Sequence, residues 1–176
     1  LIPNLSPDLR SGVLEAELNT FTISDVQAEA FITRQFYINI ATVNYPEGEI
    51  RGQIVPEGVT YFYANAYGSN HIHSVLSRGH ASVFAEVVSS TQMVVTGSFT
   101  DLGSELTGAH LYIGTPGQAG TQTIELTPTT VDQKTGTFEL SNNIFDIDLD
   151  LIIALGERRI YLNILTTNNP AGELRG

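Results

Sequence analysis

The sequence predicts an all-β fold, a Greek-key β-sandwich or barrel with short helical turns. Three observations predict it. Only 15% of the 176 residues are charged, whereas Gly, Thr, Ser and Asn are plentiful; surface helices normally draw on Lys, Glu and Arg, so this balance favours strands and turns. The apolar stretches are short and rich in aromatic and β-branched residues. Turn-forming residues punctuate them at close intervals.

The elements follow in chain order. Ile23, Val26 and Ala30 fall at helical spacing, Ser24 is placed to cap them and Gln27 completes a capping box, so a short helix is expected around 25–33. Pro56 and Gly58 mark a boundary. Beyond it Tyr61–Tyr67 reads as an opening strand, followed by strands at 80–88, 93–99, 110–113, 122–126, 136–140 and 159–165. Turn signals stand at 77–79, 101–103 and 115–117. The stretch 146–156 starts with the alternation of a strand, Asp146, Asp148 and Asp150 on one face, and is expected to pass into a helical turn. Those three carboxylates could bridge calcium, but they lack the spacing of a calcium loop, and a solvated face is the preferred reading.

The chain is internally duplicated. Residues 37–52 read YINIATVNYPEGEIRG and residues 161–176 read YLNILTTNNPAGELRG, with ten of sixteen positions identical at an offset of 124. Extended back to Gly12 and Gly136, the alignment holds seventeen identities in forty-one positions without a gap. Residues 1–55 therefore match only the C-terminal portion of a repeat, 56–60 form a linker, and 61–176 form a second, nearly complete repeat. No initiator Met stands at position 1, so the chain is expected to begin inside a longer precursor.

Charge narrows the functional classes. Eight Lys and Arg residues against nineteen Asp and Glu leave a net charge of −11, and Lys134 is the single lysine. A phosphate-binding surface needs clustered cations, so neither nucleic acid nor an anionic membrane is an expected partner. There is no cysteine, which excludes disulfides, thiolate metal ligands and a cysteine nucleophile. No hydrolase or nucleotide-binding motif occurs, and the chain is expected not to be an enzyme.

Two residue sets are candidate sites. All four histidines, His71, His73, His80 and His110, fall in one stretch. If His71 and His73 lie on a strand, their imidazoles share a face roughly 7 Å apart, and with His80 and His110 they would hold Cu or Zn. This resembles the strand-borne histidines of Cu/Zn superoxide dismutases, which are also Greek-key sandwiches; the competing reading puts these histidines in surface turns, flanked by Ser69, Asn70 and Ser74. The second set is the repeated motif itself: Tyr37, Asn39, Thr42, Pro46, Gly48, Glu49 and Arg51, and Tyr161, Asn163, Thr166, Pro170, Gly172, Glu173 and Arg175. Its occurrence at the same place in both copies points to a strand-end scaffold in which the Glu and Arg pair with neighbours or with each other.

These motifs resemble the closing signature of the CHRD (chordin-type) domain, and Leu106–Gly114 is similar to that family's Ala-His-Ile-His-Gly segment, with Tyr112 where a second His is usual. The resemblance implies a β-rich extracellular, secreted domain without established catalysis. A closing portion left alone exposes a sheet edge and an apolar face, so a homo-oligomer or filament completed by strand donation is expected. A Cu- or Zn-binding protein and a module capturing a basic secreted signalling protein are the alternatives.

Overall fold

The computed structural model describes residues 1–55 and 58–176; the expected break at Pro56 lies outside the described residues. The chain divides into two compact units, Leu1–Ile54 and Val55–Gly176. Among the described residues no helix is long and apolar enough to cross a membrane.

The first unit consists of a hairpin of β1 (Asn4–Leu5) and β2 (Gly12–Val13), the helix α1 (Asp25–Ile32) and a second hairpin of β3 (Tyr37–Ile40) and β4 (Ile50–Gln53). Local chemistry builds each piece. Ser24 caps α1 by accepting from Gln27 N, and Gln27 Oε1 accepts from Ser24 N at 2.9 Å, which is the predicted capping box. At the tip of the first hairpin Asp8 accepts from Ser6 Oγ and from Arg10 N, and Leu9 takes φ 57°. None of the residues 1–54 is buried.

The second unit is one ten-stranded antiparallel sheet, curled about its core, so the barrel-like form of the expected architecture is the one adopted. Its strands are β5 (Thr60–Tyr67), β6 (His80–Ser89), β7 (Gln92–Thr100), β8 (Leu106–Ile113), β9 (Thr121–Glu125), β10 (Thr129–Thr130), β11 (Gly136–Phe138), β12 (Ile144–Asp146), β13 (Ile160–Thr166) and β14 (Leu174–Arg175), with α2 (Leu149–Gly156) between β12 and β13. The order across the sheet is β10-β11-β7-β6-β5-β14-β13-β8-β9, and β12 also pairs with β7. Strand alternation divides the faces. Ala66, Val83, Val95, Phe99, Leu111 and Ile164 point inward and form one cluster with Leu151 and Leu155 of α2.

The stretch 146–156 changes from strand to helix as expected, but its three aspartates do not share a face. Asp146 ends β12, Asp148 caps α2 by accepting from Leu151 N at 2.9 Å, and Asp150 lies in the first helical turn.

The two units carry the same closing substructure. Both helices have eight residues and start 124 positions apart, and Arg34 and Arg158 both follow them with left-handed φ of 62° and 57°. The hairpin tips correspond too: Asp132 accepts from Lys134 N and Thr135 N as Asp8 does from Arg10 N, and Gln133 takes φ 60°. In the second unit, however, this substructure, residues 126–176, is covered by Thr60–Glu125, the opening half. The side chain of Ile164 is fully buried, whereas its counterpart Ile40 is 49% exposed. Truncating Ile164 to Ala is therefore expected to lower unfolding free energy by about 2–5 kcal/mol, and Ile40→Ala by far less, as chemical denaturation would measure.

Candidate functional site

The repeated motif closes a hairpin in both units, with nearly superimposable chemistry. Arg175 Cζ lies 3.6 Å from the Tyr161 ring centroid, and Arg51 Cζ lies 3.7 Å from that of Tyr37. Asn163 Nδ2 donates to Ala171 O at 3.0 Å, and Asn39 Nδ2 to Glu47 O at 2.9 Å. Thr166 Oγ1 donates to Glu173 Oε2 at 2.8 Å, and Thr42 Oγ1 to Glu49 Oε2 at 2.6 Å. Gly172 and Gly48 both have φ 132°, and a Cβ on either would stand 2.1 Å from the Asn Oδ1, so only glycine fits. Pro46 and Pro170 precede these glycines in the turn between the two strands. The Glu and Arg do not pair with each other. Each is held by a separate neighbour.

The two copies differ in what the opening half adds. Glu173, fully buried, also accepts from Ser77 Oγ at 2.6 Å and from Gly103 N at 2.8 Å. Arg175, 5% exposed, donates to Thr115 O and Gln118 O. Tyr161 Oη accepts from Gly120 N. All five of these partners belong to or directly flank the opening strands. Glu49 and Arg51 are exposed, and among the described residues their side chains meet the local partners Thr42 and Tyr37. In the sequence Ser77, Gly103, Thr115 and Gln118 carry no signal beyond marking turns, because they lie outside the duplicated segment.

The loop between β5 and β6 is pinned at its neck. Val75 N donates to Gly68 O, where a Cβ on Gly68 would meet Val75 O at 2.3 Å, and Ser77 is tied to Glu173. A shallow concavity of about 350 Å³ opens beside it, lined by Tyr67, Ser74, Arg78 and His80 among others.

The four histidines are not gathered together. Residues 71–73 form a bend and not a strand, so the same-face premise for His71 and His73 fails. His71 Nε2 lies 3.2 Å from Ala171 O, and His73 is exposed. His80 opens β6 opposite Tyr67, whereas His110 sits on β8 opposite Asn163. Four strand steps separate β6 from β8 through β5, β14 and β13, roughly 19 Å at the usual spacing and far too long for one ion. Among the described residues no three His, Cys, Asp or Glu side chains are grouped to hold a metal ion.

Burial pushes the Glu173 carboxyl up, but hydrogen bonds from Ser77, Gly103, Thr166 and Asn169 outweigh it and hold the group below its ordinary range. A depressed carboxyl adds stability above the unfolded value and loses it as pH falls through the folded one.

Three comparisons with known proteins bear on the whole chain. A profile of the CHRD domain matches residues 3–54 and 62–176. The chain is 30% identical over 157 residues to Chordin of Xenopus laevis, an alignment covering 81% of this chain and 16% of that protein. No solved structure matches.

Two outcomes are expected. Glu173→Gln should reduce stability at neutral pH by about 1–3 kcal/mol and flatten the loss that the parent shows on acidification below the ordinary carboxyl value of 4.5, measured by denaturant titration across pH. Elemental analysis of the purified protein, with His71→Ala as control, should find no stoichiometric Cu or Zn that the substitution removes.

Proposed function

The chain belongs to the CHRD domain family, and from that premise we propose that it is an extracellular structural protein of tandem repeats, not an enzyme, which self-associates by strand complementation. One observation carries the reading. The scaffold of Glu49 and Arg51 is fully formed yet exposed, whereas the same scaffold around Glu173 and Arg175 is buried by donors and carbonyls from an opening half. Backbone edges support it as well. In the second unit β11 pairs with β7, β13 with β8, and β14 with β5; among the described residues their counterparts β2, β3 and β4 pair only within their own hairpins. Such edges accept another strand, and a head-to-tail arrangement that does not close builds a filament.

A second reading, a module that binds a secreted signalling protein, draws on the similarity to Chordin and on one surface. Tyr61, Tyr63 and Tyr67 lie on one face of β5 and are each about half exposed, an aromatic strip suited to a protein interface.

Sedimentation velocity over a wide concentration range tests the preferred reading. Mass should rise with concentration, and a particle that stays monomeric throughout overturns self-association.

A further inference from the structure

The outer face of β5, β6 and β7 carries chemistry that neither the buried scaffold nor the strand pairing uses. Phe62, Ala64 and Ala66 pack into the core, so strand alternation turns Tyr61, Tyr63, Asn65 and Tyr67 outward. The three tyrosines are 52%, 51% and 45% exposed. At the usual rise they extend over roughly 20 Å of one strand. Beside them the same face carries Phe84, Ser82 and His80 on β6, then Thr96, Ser98 and Thr100 on β7.

Two features of this face select its ligand. The first is charge. Glu86, opposite Tyr61, is buried, and Arg175, opposite Tyr67, is buried and committed to the carbonyls of Thr115 and Gln118. Although the chain has a net charge of −11, the exposed polar groups of these three strands beside the tyrosines are hydroxyls, an amide and one imidazole. A strongly basic partner finds no complementary carboxylate there. The second feature is preorganisation. Tyr63 packs on Phe84 with ring centroids 4.8 Å apart, and its hydroxyl donates to Asn65 Oδ1, which also accepts from Ser82 Oγ at 2.8 Å. Ring and amide are held before any ligand arrives, which lowers the entropic cost of binding.

A sugar ring presents an apolar C–H face and a rim of hydroxyls. The tyrosine rings match the first, while Asn65, Ser82, Ser98 and Thr100 match the second. We propose that this face binds a neutral, linear polysaccharide lying along β5, its sugar rings packed against Tyr61, Tyr63 and Tyr67. The concavity beside the β5–β6 loop continues the track. Tyr67 lines both, and Ser69, Ser74 and Arg78 add hydroxyl and N–H donors there.

Affinity electrophoresis of the full chain tests this, in gels holding hydroxyethyl cellulose, xyloglucan or galactomannan, with polygalacturonate as the anionic comparison. At least one neutral polymer should retard the parent, equally at low and high salt, because no ion pair forms. Tyr63→Ala should weaken that retardation on the order of tenfold, and Tyr63→Phe should keep it within about twofold. Val131→Ala, at a fully exposed site beyond β10, should leave it unchanged. If Tyr63→Ala does not fold, Tyr61→Ala and Tyr67→Ala remove exposed rings that take no part in the Asn65 network. A parent that migrates unretarded in all three neutral polymers overturns the proposal, whether or not the strip captures a basic protein. Retardation by polygalacturonate alone overturns it too, as does retardation that all three alanine substitutions leave intact.

Discussion

The buried carboxylate of Glu173 is the point on which the second unit depends. It sits just before β14, a strand of only two ladder residues placed between β5 and β13 in the middle of a ten-stranded sheet. Two backbone pairings are a weak seam, and side chains reinforce it. Glu173 accepts from Ser77 in the β5–β6 loop, from Gly103 after β7, and from Thr166 at the end of β13. Three distant segments thus converge on one charge. Removing a buried charge from water is costly unless each lone pair is met, and here the donors come from both halves of the fold. Two residues later Arg175 repeats the device on its own neighbours, stacked on Tyr161 and donating to carbonyls of the 115–118 turn.

The duplication separates what local sequence accomplishes from what tertiary packing adds. In Leu1–Ile54 the capped helix, both hairpins, the left-handed residues Leu9 and Arg34, the Arg51–Tyr37 stack and the Thr42–Glu49 bond are all present without a single buried residue. These features follow from caps, turns and near neighbours. Burial, the filled carboxylate and the extended ladders of β13 require Thr60–Glu125. Hydrophobic burial dominates folding energetics, so the first unit has its shape written locally while its apolar side chains remain at least partly exposed.

Much of this architecture is legible in the amino-acid sequence. The strand class, the capping box at Ser24 and Gln27, the strand-to-helix change near Leu149 and the matching hairpins of the repeated motif follow from periodicity, capping chemistry and internal repetition. The histidines show where such reasoning stops. Strand spacing places His71 and His73 on one face, but the chain bends there because the loop neck at Gly68 and Val75 turns it back. His80 and His110 are close in sequence terms and four strands apart in space. Strand order depends on long-range pairing, which spacing along the chain does not encode. The donors to Glu173 are invisible for the same reason, since Ser77 and Gly103 meet it only after the sheet has formed.

The hairpin tips have one further consequence. Leu5 and Gly12 flank a connection one residue longer than the one between Thr130 and Gly136, although both tips keep the aspartate and the left-handed residue. The two connections thus differ by one residue while the strands on either side remain paired in both units. That tip is consequently the natural graft point of the molecule, where a fluorophore-bearing or epitope peptide could be spliced in while the surrounding architecture keeps its register.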